Sequence, residues 1–213
     1  MSLVFLKRDV FGGVSLDRDA GCVRRDTRAA RWWLRLLARR LAAREARALH
    51  ALHGVAGIPG LIAWDGAVLT RTWIDGSAMQ VARPRVADYF RAARRLLARV
   101  HRAGVVHNDT AKEPNWLVCA DATPALVDFQ LAGVFSRRGR LFRMLAREDL
   151  RHLLKHKRTY LPHALTRRER SMLASPSWLA RAWMASGKPV YMWFTRSVLG
   201  WEDREGAGDR HTH

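Results

Sequence analysis

Residues 105–118 read VVHNDTAKEPNWLV, and the reading of this stretch decides the fold. His107, Asp109, Lys112 and Asn115 fall within nine residues, and the chain then enters an apolar run. Polar groups this dense, set between two extended segments, describe a functional loop held by strands. Two short apolar runs follow, Asn115–Cys119 and Ala125–Phe129, with ADATP between them, and they predict a hairpin. The second arm ends on Asp128 and Phe129, so the hairpin returns a carboxylate about twenty residues after Asp109. Asn115 and Asp128 then sit on two arms of one hairpin and reach the same place.

Working outward, Val86–Ala103 has a helical pattern and stops at Gly104. Thr27–Leu52 contains no Gly or Pro and is dense in Ala, Leu and Arg, which predicts a long helix with Asp26 or Thr27 as N-cap. Trp33, Leu37 and Leu41 recur along it at i, i+4 spacing beside Trp32 and Leu36, with arginines filling the rest. This stripe is expected for the most part to pack on a sheet, the alternative being a basic amphipathic helix that lies in a membrane interface. Before that helix, Leu3–Arg25 breaks into two or three strands at RDVFGG and DRDAG; after it, Leu61–Trp64 and Ala67–Trp73 are strands again. Beyond the hairpin, helices are expected at Leu141–Lys155, Arg167–Leu173 and Ser177–Ala185. The chain is read as one domain over residues 1–213, with a strand-rich lobe at residues 1–75, a helical lobe at residues 76–201 and a flexible tail at residues 202–213.

HNDTAKEPN followed by VDFQ resembles the catalytic loop and metal-binding motif of the protein-kinase-like superfamily, in which H-x-D, a loop Asn and D-F-G recur in this order. Gln130 follows Asp128 and Phe129 where conventional kinases have Gly, so the resemblance is nearest to an atypical bacterial branch similar to RIO-type kinases and lipopolysaccharide sugar kinases. It implies an α+β, compact two-lobed protein-kinase-like fold with a small strand-rich N-lobe and a reduced helical C-lobe. It implies ATP and Mg²⁺ as cofactors. Asp109 takes the role of the base that accepts the acceptor proton, Lys112 neutralises charge on the transferred group, and Asn115 and Asp128 hold the metal. His107 is the structural histidine beside Phe129, and Asp149 in REDLRHLLKHKRTYLP is the residue that holds the loop backbone.

The chain also departs from the family pattern. Five residues separate Asp109 from Asn115, one more than usual, so the loop bulges or Asn115 reaches differently. Gly12 and Gly13 in FGGV replace a full glycine-rich motif and read either as a turn over phosphates or as an ordinary hairpin turn. The usual strand lysine is missing; the third strand reads CVRRD, so Arg24 or Arg25 substitutes, and alternation points only one of them inward. Glu45 is the sole carboxylate between Thr27 and His53, and it is the candidate partner of that arginine.

A formal charge of +19, with 33 of 38 basic residues being Arg, calls for acidic partners: ATP, an acidic protein, an anionic glycolipid or an anionic membrane met peripherally, with nucleic acid less favoured because none of its motifs occurs. Cys22 and Cys119 lie far apart and make neither a disulfide framework nor a zinc set. No run reaches the roughly 20 apolar residues of a membrane span, and a cytoplasmic protein, peripheral at the inner face of the membrane, is expected. The C-terminal SWLARAWMASGKPVYMWFTRSVLGW interleaves aromatic and basic residues and reads as core packing or membrane contact. The leading function is transfer of the γ-phosphate of ATP to a protein Ser/Thr or a glycolipid sugar hydroxyl. The alternatives are a catalytically weak kinase-like module that binds nucleotide and a partner, and a basic nucleic-acid-binding protein.

Overall fold

The structure, a computed structural model, describes residues 3–175. Five antiparallel strands form the first sheet: β1 (Leu3–Asp9), β2 (Gly12–Asp17), β3 (Cys22–Asp26), β4 (Leu61–Trp64) and β5 (Val68–Thr72), in the order β1-β2-β3-β5-β4. Helix α1 (Arg35–Ala51) lies against it. The β3–β5 register pairs Val23 with Arg71 and Arg25 with Leu69. Cross-strand partners share a face, so Val23, Arg25, Leu69 and Arg71 all point one way. That way is toward α1, because Leu69 packs with Ala42 and Ala46 of the helix.

Two expectations for this helix are corrected. It starts at Arg35, not near Thr27, because Asp26 caps a short 3₁₀ turn (Thr27–Ala29) by accepting from the Arg28 N–H. The Thr27 hydroxyl, fully buried, donates to the Ala67 carbonyl at 2.7 Å and ties that turn to the sheet. Nor does the tryptophan stripe pack inward. Ala38, Ala42, Ala46 and Leu49 face the protein, while Trp32, Trp33, Leu36 and Leu37 are exposed. Alanines let the helix approach the sheet closely, which leaves the large side chains no room on that side.

After Thr72 the chain leaves the sheet through residues 73–76 and forms β6 (Ser77–Ala78), the short α2 (Met79–Ala82) and α3 (Ala87–Arg102). Tyr89, Ala93, Leu96, Leu97 and Val100 recur on one side of α3 and meet Trp116, Leu126, Phe129 and Leu153 in the main core. Gly104 closes the helix with φ 77°, where a Cβ would stand 2.6 Å from the Phe135 carbonyl oxygen. Next come β7 (Val105–Val106), β8 (Trp116–Val118), β9 (Pro124–Leu126) and β10 (Gly133–Val134). The hairpin β8–β9 has the expected position, with β8 one residue shorter at each end and β9 starting one residue earlier and ending three residues earlier than expected, and β6 adds to it as a third strand. The pairing of β7 with β10 is not visible in the sequence, because two-residue strands carry no period.

Helix α4 (Arg140–Tyr160) runs longer than expected and packs on α3, and α5 (Arg167–Ala174) follows behind a Thr166–Glu169 capping box. The expected helix Ser177–Ala185, the aromatic C-terminal segment and the tail 202–213 lie outside the described residues. Among the described residues no helix is long and apolar enough to cross a membrane.

Candidate active site

The loop between β7 and β8 is pinned from below. Asp149 of α4, almost fully buried, accepts from the backbone N–H of His107 at 2.8 Å and of Asn108 at 2.9 Å, and His101 Nε2 stands 3.1 Å from the same carboxylate. Thr110 donates its hydroxyl to the Asp149 carbonyl at 3.1 Å. Two turns further along α4 comes a second support: His156 Nε2 donates to the Thr110 carbonyl at 2.9 Å, as does the Trp116 indole at 3.1 Å. Tyr160 donates to Glu113 at 2.5 Å. The sequence pointed to Asp149 but not to His101, Thr110, His156 or Tyr160, whose roles depend on how α3 and α4 cross.

His107 is fully buried and uses both ring nitrogens. Nδ1 accepts from the Asp109 N–H at 3.2 Å, so Nε2 carries the proton and donates to the Val127 carbonyl at 3.0 Å. This defines the tautomer. Its ring meets Phe129 edge-on at 4.6 Å between centroids. Asn108, between the two, has φ 63°, a left-handed conformation that Asn tolerates better than most residues.

The additional residue of the loop is taken up by a 3₁₀ turn, Glu113–Asn115. That turn folds Asn115 back: its Nδ2 donates to the Asp109 carbonyl at 2.9 Å and to Asp109 Oδ2 at 3.2 Å. Lys112 Nζ lies 3.0 Å from the same Oδ2. Asp109, Lys112 and Asn115 therefore meet at one carboxylate.

Asp128 joins them electrostatically. Burial alone would raise its pKa, but Arg25, the hydrogen bond from Gln130, Lys112 and His107 outweigh burial and hold the carboxyl below its ordinary value. The Gln130 bond is short, Nε2 to Asp128 Oδ1 at 2.7 Å, so this residue anchors the aspartate two positions before it. Asp128 has φ 65°, another left-handed non-glycine residue in this cluster.

On the sheet side, Arg25 turns inward and Arg24 is exposed on the other face of β3. Arg25 Nε lies 3.7 Å from Glu45 Oε2, and Arg71 Nε of β5 lies 3.2 Å from Glu45 Oε1. Glu45 is completely buried; burial pushes its carboxyl up, against the pull of Arg71 and Arg25. Sequence reasoning missed Arg71. The available signal was its place two residues after Leu69 on an alternating strand, which puts it on the same face, but only the β3–β5 register sets it diagonal to Arg25.

Gly12 and Gly13 lie in β2, with the turn itself at Val10–Phe11. A Cβ on Gly12 would stand 2.2 Å from the Asp26 carbonyl oxygen, and its φ is 131°, so the close approach of β2 to β3 already requires glycine there. Finally, Arg44 of α1 donates to the Leu131 and Ala132 carbonyls at 3.2 Å each, and Asn108 Nδ2 donates to Leu131 at 3.0 Å. The helix that carries Glu45 is thereby stapled to the segment following Gln130.

Loop, hairpin and five-stranded sheet together define the class: the chain has an α+β protein-kinase-like fold. Among solved structures it is similar to the Rio2 kinase from Chaetomium thermophilum, with a TM-score of 0.57 and 18% identity over 78% of this chain and 56% of that one. It is also similar to the Rio2 kinase-ADP/Mg²⁺-phosphoaspartate complex from the same organism, with a TM-score of 0.54 and 18% identity over 82% and 62% of the two chains. The match spans less than two thirds of either Rio2 chain. No protein-family model and no curated protein sequence matches.

Proposed function

We propose that this chain is a Mg-ATP-dependent phosphotransferase, with the nucleotide phosphates between the Arg25–Glu45 pair and the loop 107–115. The observation that carries this reading is the gathering of Asp109, Lys112 and Asn115 at one carboxylate, with Asp128 anchored by Gln130 at 2.7 Å on the adjoining hairpin arm. Similarity of fold to a kinase solved with ADP and Mg²⁺ supports it.

In this reading both contacts to Asp109 fall on Oδ2, and Oδ1 accepts the proton of the acceptor hydroxyl. Lys112, already beside Asp109, offsets charge on the transferred group. Asp128 and Asn115 make a sparse set of one carboxylate and one amide, which fits Mg²⁺, a hard cation that takes few protein ligands and completes its shell with phosphate and water. When bound, the ion neutralises charge on the phosphates. Arg25 reaches the phosphates from the position where the family has lysine, and Arg71, the closer of the two to Glu45, keeps that carboxylate compensated while Arg25 is engaged.

The acceptor is a hydroxyl of an anionic glycolipid or of a protein Ser/Thr. Purified protein incubated with γ-labelled ATP, Mg²⁺ and whole-cell extract, followed by separate recovery of lipid and protein, should place label in one of the two fractions. Label in neither, with Mg-ATP bound, would make the chain a nucleotide-binding module instead.

A further inference from the structure

The exposed residues that lead into α1 and form its first turns, 31–40, have a composition that neither the core nor the active site uses. Leu34 and Ala38 turn inward, which places Leu36 on the opposite side of a 3.6-residue helix. Trp32 is 82% exposed, Leu36 71%, Leu37 45% and Trp33 41%. A soluble surface accepts single large apolar residues but seldom four together. Around them stand Arg31, Arg35, Arg39 and Arg40, all exposed. No acidic residue occurs from Thr27 to Arg44. The acidic side chains bound at this end both serve Arg28: Asp26 accepts from its backbone N–H and Asp65 pairs with its guanidinium at 3.3 Å.

We propose that this face docks on an anionic lipid bilayer. Tryptophan settles at the boundary between headgroup and acyl chain, leucine enters the apolar side, and a surrounding ring of arginines meets lipid phosphates. Nucleic acid would also attract the arginines and could stack on the tryptophans, but exposed Leu36 and Leu37 have no use against a phosphate backbone. The apolar surface continues along α1: Leu37 also lines a groove with Leu41, Leu61, Trp64 and Val134. Because α1 carries Glu45 and is stapled by Arg44 to the Leu131–Ala132 segment, docking holds the side of the active site that this helix supplies.

The test is cosedimentation of the full chain with vesicles of phosphatidylglycerol and phosphatidylcholine in equal amounts, and with phosphatidylcholine alone. Binding is expected to the anionic vesicles only and to weaken with salt. Trp32→Ser with Leu36→Ser should lower it about tenfold or more, and Arg35→Gln with Arg39→Gln should also lower it, by about fivefold per charge. Those side chains project outward, and an unchanged urea midpoint checks that the variants fold. Trp178→Ser with Trp183→Ser, in the C-terminal segment, should leave most of the binding. The proposal is overturned if the Trp32/Leu36 variant binds like the wild type, if the Trp178/Trp183 variant alone loses binding, or if neutral and anionic vesicles bind equally. It is also overturned if the Trp32/Leu36 substitutions abolish binding to a single-stranded oligonucleotide while the wild type ignores vesicles.

Discussion

Residues 107–115 and the Arg25–Glu45–Arg71 group stand on two sides of one cluster, yet they are assembled in opposite ways. The loop is largely local: Asp109, Lys112 and Asn115 contact one another, His107 reaches Asp109 and, across the hairpin, Val127 and Phe129, and α4 fastens the backbone from beneath. The sheet side is non-local. Glu45 comes from α1, Arg25 from β3 and Arg71 from β5, and only strand register brings them together. In the proposed reading each side chain of the loop has a chemical task at a set spacing. On the sheet side the buried Glu45 carboxylate needs positive charge but not one particular bearer of it, and here two arginines supply it.

The comparison is broken most severely at Asp149. Asp149→Ala removes the acceptor of two buried N–H groups and should cost about 4 kcal/mol in urea unfolding. A loss under about 1 kcal/mol would mean that the loop stands without its support and that α4 does not set it.

A somewhat smaller effect is expected from His152 on the same helix. Burial, with Lys155 next, lowers its pKa from 6.5 to about 4. The unfolded chain therefore takes up the proton first as pH falls. The stability tied to neutral His152 is complete above about pH 6.5 and disappears by about pH 4, on the order of 3 kcal/mol in all. His152→Gln should flatten unfolding free energy against pH in that window, and an unchanged slope would contradict the burial argument.

The sheet side is sharpened by the two neighbouring arginines. Arg25→Ala should weaken Mg-ATP binding by about 10- to 100-fold, the scale of charge-assisted contacts to phosphate. Arg24→Ala, exposed on the other face of β3, should leave it within about twofold. Calorimetric titration separates them, and equal losses would remove the inward assignment of Arg25.

The difference in assembly also explains what could be read from the sequence. H-x-D, Lys112, Asn115 and the hairpin to Asp128 were legible because their spacing is carried by adjacent residues. The inward arginine of CVRRD remained open, since alternation names two faces without saying which one meets a helix. Arg71 shares a face with Leu69 by the same alternation, but its place beside Glu45 follows only from the β3–β5 register. The tryptophan stripe misleads because its period predicts a helix face but not which face is buried; three alanines and Leu49 decide that by letting α1 lie close to the sheet. Thr27 breaks the expected helix start through two hydrogen bonds to the Ala67 carbonyl, forty residues away, one from its hydroxyl and one from its backbone N–H.

The central claim is that loop and sheet form one phosphotransfer site in which the two aspartates divide the work. Asp109→Asn and Asp128→Asn, each assayed for Mg-ATP binding and for transfer of label in the same extract, test it most directly. Asp109→Asn should lose roughly 10² to 10⁴ in transfer rate and keep Mg-ATP affinity, because it acts on the acceptor proton. Asp128→Asn should lose both, because its carboxylate serves the metal that holds the phosphates. Transfer unchanged in both variants would contradict the claim.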